Sequence, residues 1–339
     1  MSGTTTARTA QSQVEQARVD ELRIQDFPLD SGERLPRAVV RYATLGAWSP
    51  GADNVVLLFT YYTGTHNSYA PWIRPGGPID PARYHVVVVD HLGNGVSSSP
   101  SNTPGPFPAL DVADTARAAM AVLDSLGIGQ VRLAAGWSLG GMQALEFAAR
   151  YPRAVSAVLA LCSAARCSEV NRVFLDGVDA VLGVDAVGDA PDGRAARALN
   201  AFGRVYAGWA YSEEFFREAH YRDLGYRDPA DVVASWGRDH EAYDARDLRA
   251  SLDMWRRADL GRHRGGLGPG LGAVRARTVL MPCATDSYFT LAENEHEFGF
   301  LPDGELSVLR SPLGHVAGRP GVRPREQAAV DECLRRLLA

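Results

Sequence analysis

Between Ala38 and Ala160 short apolar runs alternate with longer segments whose apolar residues recur at helical spacing. Asn54 to Tyr62 (NVVLLFTYY) and Tyr84 to Asp90 (YHVVVVD) are nearly continuous in Val, Leu and aromatic residues, the pattern of strands buried on both faces. Asp111 to Leu126 carries the helical period and ends at Gly127, which predicts a helix feeding a strand over Gln130 to Ala135. A second helix over Leu139 to Tyr151 is stopped by Pro152, and Val155 to Cys162 reads as the next strand. Strand, helix, strand in repetition predicts an α/β fold with a mostly parallel sheet flanked by helices.

The pattern changes from Ser163 to about Ala273. Helical runs rich in Arg and Asp carry Trp209, Tyr211, Phe215, Trp236, Tyr243 and Trp255, which predicts a helical insertion lying over the sheet. Its last segment, Gly265 to Gly272 (GGLGPGLG), has the glycines of a phosphate loop but neither follows a strand nor opens a helix, so a flexible return linker is expected. The sheet resumes over Arg277 to Pro282 and Glu305 to Arg310, and Pro324 to Leu338 forms a terminal amphipathic helix. The expected layout is a disordered terminus over 1–20, a first core part over 21–162, a helical lid over 163–273 and a second core part over 274–339.

Composition narrows the functions this pattern can serve. With 339 residues and 46% hydrophobic content, the chain is long enough for one large core. Its 35 basic residues against 40 acidic ones leave a net charge of −5, with no cationic field to draw in nucleic acid or an anionic membrane. All the basic residues are Arg, so no lysine can serve as base or nucleophile. Cys162, Cys167, Cys283 and Cys333 lack zinc or thioredoxin-like spacing and read as free thiols of a reducing compartment. Met1 to Asp20 has no apolar core and no stretch reaches 18 apolar residues, so the expected location is cytoplasmic.

The chemistry centres on Gly136-Trp137-Ser138-Leu139-Gly140, a G-x-S-x-G where a strand ends and a helix begins. A serine presented on so sharp a turn needs neighbours without side chains two residues to either side. Gly140, Ala144 and Ala148 recur at i, i+4, a small-residue face on which the helix can approach the sheet. A serine hydroxyl is a weak nucleophile until a base takes its proton, and the base needs a carboxylate to fix its tautomer. Asp286 follows the strand ending at Pro282, and His315 follows the one ending at Arg310, in the chain order Ser, Asp, His that the α/β-hydrolase fold uses. All three fall at carboxyl ends of strands. The expected oxyanion donors are the backbone N–H of Leu139 and of Tyr62 in the strand-end loop Tyr61-Tyr62-Thr63-Gly64. Of the other histidines, His66 could line the site; His85, His91, His220, His240, His263 and His296 are weaker candidates, and no pair has metal-ligand spacing, so no catalytic metal is expected.

These stretches resemble the homoserine O-acetyltransferase family of α/β-hydrolase-fold proteins. TYYTG at Thr60 to Gly64, PGGPIDPARYHVVVVDHLG at Pro75 to Gly93 and GWSLGGMQALEFAARYP at Gly136 to Pro152 carry the resemblance, and weaker similarity runs through Gly203 to Ser212 and Tyr243 to Trp255. It implies a triad on Ser138, Asp286 and His315, an acyl-serine intermediate and a helical lid over the nucleophile. It also places the family's substrate-facing arginine and tyrosine on Arg204 and Tyr211. Three features depart from the family: Trp137 stands where a small residue is usual, Leu92 to Ser97 (LGNGVS) is closer to ester and lactone hydrolases, and Val316 replaces the substrate-contacting aspartate after the histidine.

The expectation is therefore acyl transfer through an acyl-Ser138 to water or a small alcohol other than homoserine, with Trp137, Tyr61, Arg204 and Tyr211 around the substrate. No cofactor is called for; an acyl-CoA is the co-substrate if the acceptor is an alcohol. The alternatives are a fold recruited to bond-forming or elimination chemistry in specialised metabolism, a genuine homoserine O-acyltransferase, and a non-enzymatic ligand receptor. The partner expected is a small molecule, and the oligomeric state is open, a homodimer included.

Overall fold

The computed structural model describes residues 17–51, 53–183 and 194–339. Eight strands form one sheet in the order β1-β2-β4-β3-β5-β6-β7-β8. β1 (Arg18–Pro28) and β2 (Arg34–Leu45) make an antiparallel hairpin on one edge, and β2 runs antiparallel to β4 (His85–Val89). From there every pairing is parallel, through β3 (Val55–Phe59), β5 (Val131–Trp137), β6 (Val155–Leu161), β7 (Arg277–Met281) and β8 (Gly304–Leu306). All five residues of β3 are inaccessible, as a central strand covered on both faces requires.

Helices cover the two faces. α1 (Val112–Ser125) begins where the Asp111 carboxylate accepts from the Ala113 amide, and the chain leaves it through Gly127 at φ 74°. α2 (Leu139–Arg150) starts directly after β5. Between β6 and β7 the described residues contain only helical elements: α3 (Glu169–Gly183), α4 (Arg194–Ala210), α5 (Glu213–Arg217), α6 (Pro229–His240), α7 (Ala245–Arg257) and α8 (Leu267–Gly272). α9 (Leu291–Phe298) links β7 to β8, and α10 (Pro324–Leu338) closes the chain. None of the helices described is long and apolar enough to cross a membrane.

Three sequence expectations need correction. The β1–β2 hairpin lies outside the run of predicted strands, and its first residues, Arg18 to Asp20, belong to an ordered strand and not to a frayed terminus. Residues 1–16 of that expected terminus lie outside the described residues. The strand expected over Glu305 to Arg310 is confined to Gly304–Leu306. Gly265 to Gly272 is not a loose linker: most of it is α8, and two of its glycines, Gly268 and Gly270, serve close packing. A Cβ at Gly270 would sit 2.7 Å from the Leu260 carbonyl oxygen, and one at Gly268 would press on Phe300 at 3.1 Å.

One buried carboxyl makes stability depend on pH. Glu297 on α9 accepts from the Ala165 amide at 2.8 Å through one oxygen, while the other is buried with no partner among the described residues. Burial pushes this carboxyl up to about 8. Because the folded-state value lies above the ordinary one, the folded state favours the proton. The contribution is complete below about pH 4.5 and is lost as pH rises to about 8. Glu297→Gln keeps the acceptor for Ala165 and cannot ionise. Its melting temperature should match the wild type near pH 5 and exceed it by several degrees at pH 9, read by thermal denaturation across pH; an offset that does not change with pH would contradict this.

Candidate active site

The turn from β5 to α2 holds Ser138 at φ 60° and ψ −128°, outside the usual regions for a residue with a side chain. The glycines around it explain why the sequence turns here. A Cβ at Gly136 would lie 2.2 Å from the Gly140 carbonyl carbon, and one at Gly140 would lie 2.2 Å from the Phe59 carbonyl oxygen. The Ser138 amide is tied to the Leu161 carbonyl at 2.9 Å, which fixes the turn to β6.

Loops from two other strand ends reach the serine. His315 sits in a short 3₁₀ turn, Gly314–Gly318, entered through Gly314 at φ 60°. Its Nε2 is 3.0 Å from Ser138 Oγ and its Nδ1 is 2.8 Å from Asp286 Oδ2. A carboxylate only accepts, so Nδ1 carries the proton and Nε2 presents its lone pair to the serine hydroxyl. The second Asp286 oxygen accepts from the Tyr288 and Phe289 amides at 2.8 and 3.2 Å, which locks the carboxylate. All three residues are buried, with 5% exposure or less.

Aromatic rings surround His315. Trp137 stacks on His315 at 5.1 Å with a 26° interplanar angle, and its indole N–H donates to the His315 carbonyl at 3.3 Å. Tyr288 covers the imidazole at 4.6 Å and Phe289 at 5.6 Å. Tyr61 meets Trp137 edge-on at 4.6 Å. Leu139 occupies the first position of α2, where a backbone N–H has no intrahelical acceptor.

The structure brings Ser138, Asp286, His315, Leu139, Trp137 and Tyr61 together, and places Tyr62 in the loop after β3. Arg204 and Tyr211 lie on the helical insertion. The buried side of α4 is formed by Leu199, Phe202, Gly203, Tyr206, Ala207 and Ala210, and Arg204 points the other way, exposed. Tyr211 is buried within the insertion, stacked on Phe215 at 3.9 Å, and its hydroxyl has no partner among the described residues. His66 is paired with the buried Asp90 at 2.6 Å and is engaged there. His91 is fully buried between Thr60 and Ser251, and burial takes its pKa down to about 3. Tyr288 and Phe289 went unnoticed in sequence, although they stand only two and three residues after Asp286. Tyr206 also went unnoticed, and His240 was only a weaker histidine candidate; both meet Tyr62 only in three dimensions. Among the described residues no group of three or more His, Cys, Asp or Glu side chains could hold a metal ion.

A mostly parallel sheet with a sharp glycine-flanked turn at Ser138 after β5 and a helical insertion between β6 and β7 defines an enzyme of the α/β-hydrolase superfamily. Residues 54–185 match the α/β hydrolase fold family. The chain is 31% identical over 308 residues to ethyl acetate hydrolase of Pseudomonas veronii, spanning 87% of this chain and 88% of that one. Homoserine O-acetyltransferase of Thermobifida fusca is 29% identical, over 85% of this chain and 86% of its own length. The solved structure of the acetyl esterase MekB superposes with a TM-score of 0.91 at 29% identity, covering 97% of this chain and 99% of that one. The chain belongs to the α/β-hydrolase fold family, in its homoserine O-acetyltransferase-like branch.

Proposed function

We propose that the protein is a serine esterase that hydrolyses small acyl esters, acetyl esters foremost, through an acyl-Ser138 intermediate. The observation that carries this reading is the hydrogen-bonded run from Asp286 through His315 to Ser138. Ser138 Oγ attacks the acyl carbonyl while His315 Nε2 takes its proton, and the imidazolium is stabilised by Asp286. The carbonyl oxygen becomes an oxyanion facing the N–H groups of Leu139 and Tyr62. His315 returns the proton to the departing alcohol oxygen. Water then attacks the acyl-serine by the same steps in reverse, releasing the acid and restoring the hydroxyl.

The choice of ester over amino-acid acceptor rests on what surrounds the base. Beyond Ser138 and Asp286, the side chains around His315 are Trp137, Tyr288, Phe289 and the buried Val316, none of them charged. Homoserine brings an ammonium that needs an acceptor and a carboxylate that needs a cation. Val316 offers no lone pair, and Arg204 faces solvent. Burying an unpaired ammonium costs several kcal/mol. The names of the ethyl acetate hydrolase and acetyl esterase relatives support a short acyl group.

The test pairs two assays on the purified protein. A fluorophosphonate probe followed by intact mass and peptide mapping should give one adduct on Ser138, with hydrolysis of ethyl acetate or p-nitrophenyl acetate by the unlabelled enzyme. With acetyl-CoA or succinyl-CoA and L-homoserine, thiol release should stay near background. Saturable turnover at kcat/KM of around 10⁴ M⁻¹s⁻¹ or more would restore a homoserine acyltransferase. An accessible protein that takes no label would point to non-acylating chemistry on the same fold.

A further inference from the structure

The strand-end loop that supplies the Tyr62 amide is held from two sides. On the core side, Gln143 of α2 donates to the Thr60 carbonyl at 2.8 Å, and the Thr60 hydroxyl is bonded to His91 at 2.8 Å. On the far side, the Gly64 amide closes a turn on the Tyr61 carbonyl at 2.7 Å, and the Asn94 side-chain amide donates to the Gly64 carbonyl at 3.2 Å. The Tyr61 carbonyl shares its peptide plane with the Tyr62 amide, so this turn bears on the direction of that N–H from one side of the loop. The Tyr62 side chain supplies a second anchor from the other side.

The Tyr62 side chain leaves the loop and enters the helical insertion. Its ring lies flat on Tyr206 of α4 at 5.1 Å and 7°, and its hydroxyl is 2.6 Å from His240 Nε2 at the end of α6. His240 Nδ1 is 2.7 Å from the Trp236 carbonyl, which can only accept, so Nδ1 carries the proton and Nε2 accepts from the phenol. Burial lowers the pKa of His240 and raises that of Tyr62, which keeps the pair in this neutral arrangement.

The insertion is built to place this histidine. A Cβ at Gly203 of α4 would lie 2.3 Å from the Trp236 carbonyl oxygen and 2.7 Å from His240 Nδ1. A Cβ at Gly237 of α6 would lie 2.8 Å from Asn200 Nδ2. The two helices therefore cross at bare glycines, close enough to wedge the imidazole between Phe202, Tyr206 and Tyr243, whose rings lie 5.3, 5.9 and 5.8 Å away.

We propose that His240 is a positioning residue for the oxyanion site: through the Tyr62 phenol, the lid holds the Tyr62 amide in the orientation that receives the developing negative charge. This rests on the esterase reading and adds to it that lid and catalytic loop form one unit. The chemistry needs no charge on His240, only its lone pair.

The proposal predicts a specific pattern of effects. Tyr62→Phe and His240→Leu each remove the same hydrogen bond, and each should lower kcat on an acetyl ester by roughly 10- to 100-fold, less than loss of a whole oxyanion donor. KM should stay within about threefold, because the ground-state carbonyl makes weaker use of the donors. The double variant should be no worse than either single one. His240→Gln, whose side-chain carbonyl can accept from the phenol, should recover most of the rate. A trifluoromethyl ketone, which adds to the serine as a hemiketal anion, should bind His240→Leu more weakly by the factor lost in kcat/KM, while the matching methyl ketone should bind both proteins alike.

Melting curves and fluorophosphonate labelling accompany each variant. A wild-type protein that takes no label at Ser138 overturns the esterase reading whatever the variants do. A labelled wild type, with His240→Leu variants that keep kcat or lose affinity for both ketones equally, leaves the esterase standing and sinks the role given to His240.

Discussion

Ser138→Ala is expected to lower turnover of an acetyl ester by on the order of 10³-fold or more while leaving the melting temperature within a degree or two of wild type. Two features of the turn set these two outcomes apart. In the proposed mechanism the serine hydroxyl oxygen is the atom that bonds to the acyl group, so its removal takes away the covalent route and not a contact that assists it. The backbone at residue 138, at φ 60°, is equally strained for alanine and serine, since both carry a Cβ. The main-chain bond from the residue 138 amide to Leu161 is also untouched. Residual activity would come from the oxyanion donors and the placement of water. Rates with p-nitrophenyl acetate, corrected for spontaneous hydrolysis, and a thermal melt decide the matter. If most of the activity survives, the covalent mechanism is wrong.

The strands that carry the site were legible because of how they are buried. β3 and β4 are covered on both faces, so nearly every position is apolar, and a run such as VVLLF leaves little else for the chain to be. The hairpin was harder. In β1 the half-buried Leu22 and Ile24 alternate with the exposed Glu21, Arg23 and Gln25, a period of two carried by only a few apolar residues. The nucleophile turn could be recognised because its glycines answer to main-chain collisions that no side chain can relieve.

The residues expected around the substrate were the hardest to place from sequence. Arg204 was placed by spacing within a resemblance, yet the helix that bears it already declares its faces: residues 199, 202, 203, 206, 207 and 210 form a stripe of apolar and small side chains, and 204 lies off it. His240 offers no comparable signal, because its partner Tyr62 stands 178 residues earlier and only the crossing of α4 and α6 brings them together. The hydrogen-bonded pairs His315–Asp286 and His315–Ser138, 29 and 177 residues apart, could be anticipated because the expected chemistry demands a base and a carboxylate, a demand that hydrogen-bonded positioning does not make.

Asp286→Asn should reduce kcat by roughly 10³- to 10⁴-fold, more than the loss of a single hydrogen bond would cause. The reason lies in the two main-chain amides that already occupy one oxygen of the carboxylate. Tyr288 N–H and Phe289 N–H both point at Oδ1. An asparagine must give them its carbonyl oxygen, because turning its NH₂ toward two N–H donors would leave three donors facing one another in a buried site. Its NH₂ is therefore forced into the position of Oδ2, opposite His315 Nδ1. There it can only donate, so Nδ1 must become the acceptor and the imidazole proton moves to Nε2. The proton then faces Ser138 Oγ, and the base can no longer accept from the nucleophile. The variant should fold with the same hydrogen bonds counted and the wrong tautomer in place. Fluorophosphonate labelling of Ser138 should slow in proportion to ester hydrolysis, with KM little changed. A variant retaining activity within about tenfold of wild type would mean that the tautomer of His315 is not set by Asp286, and the role given to this carboxylate would fall.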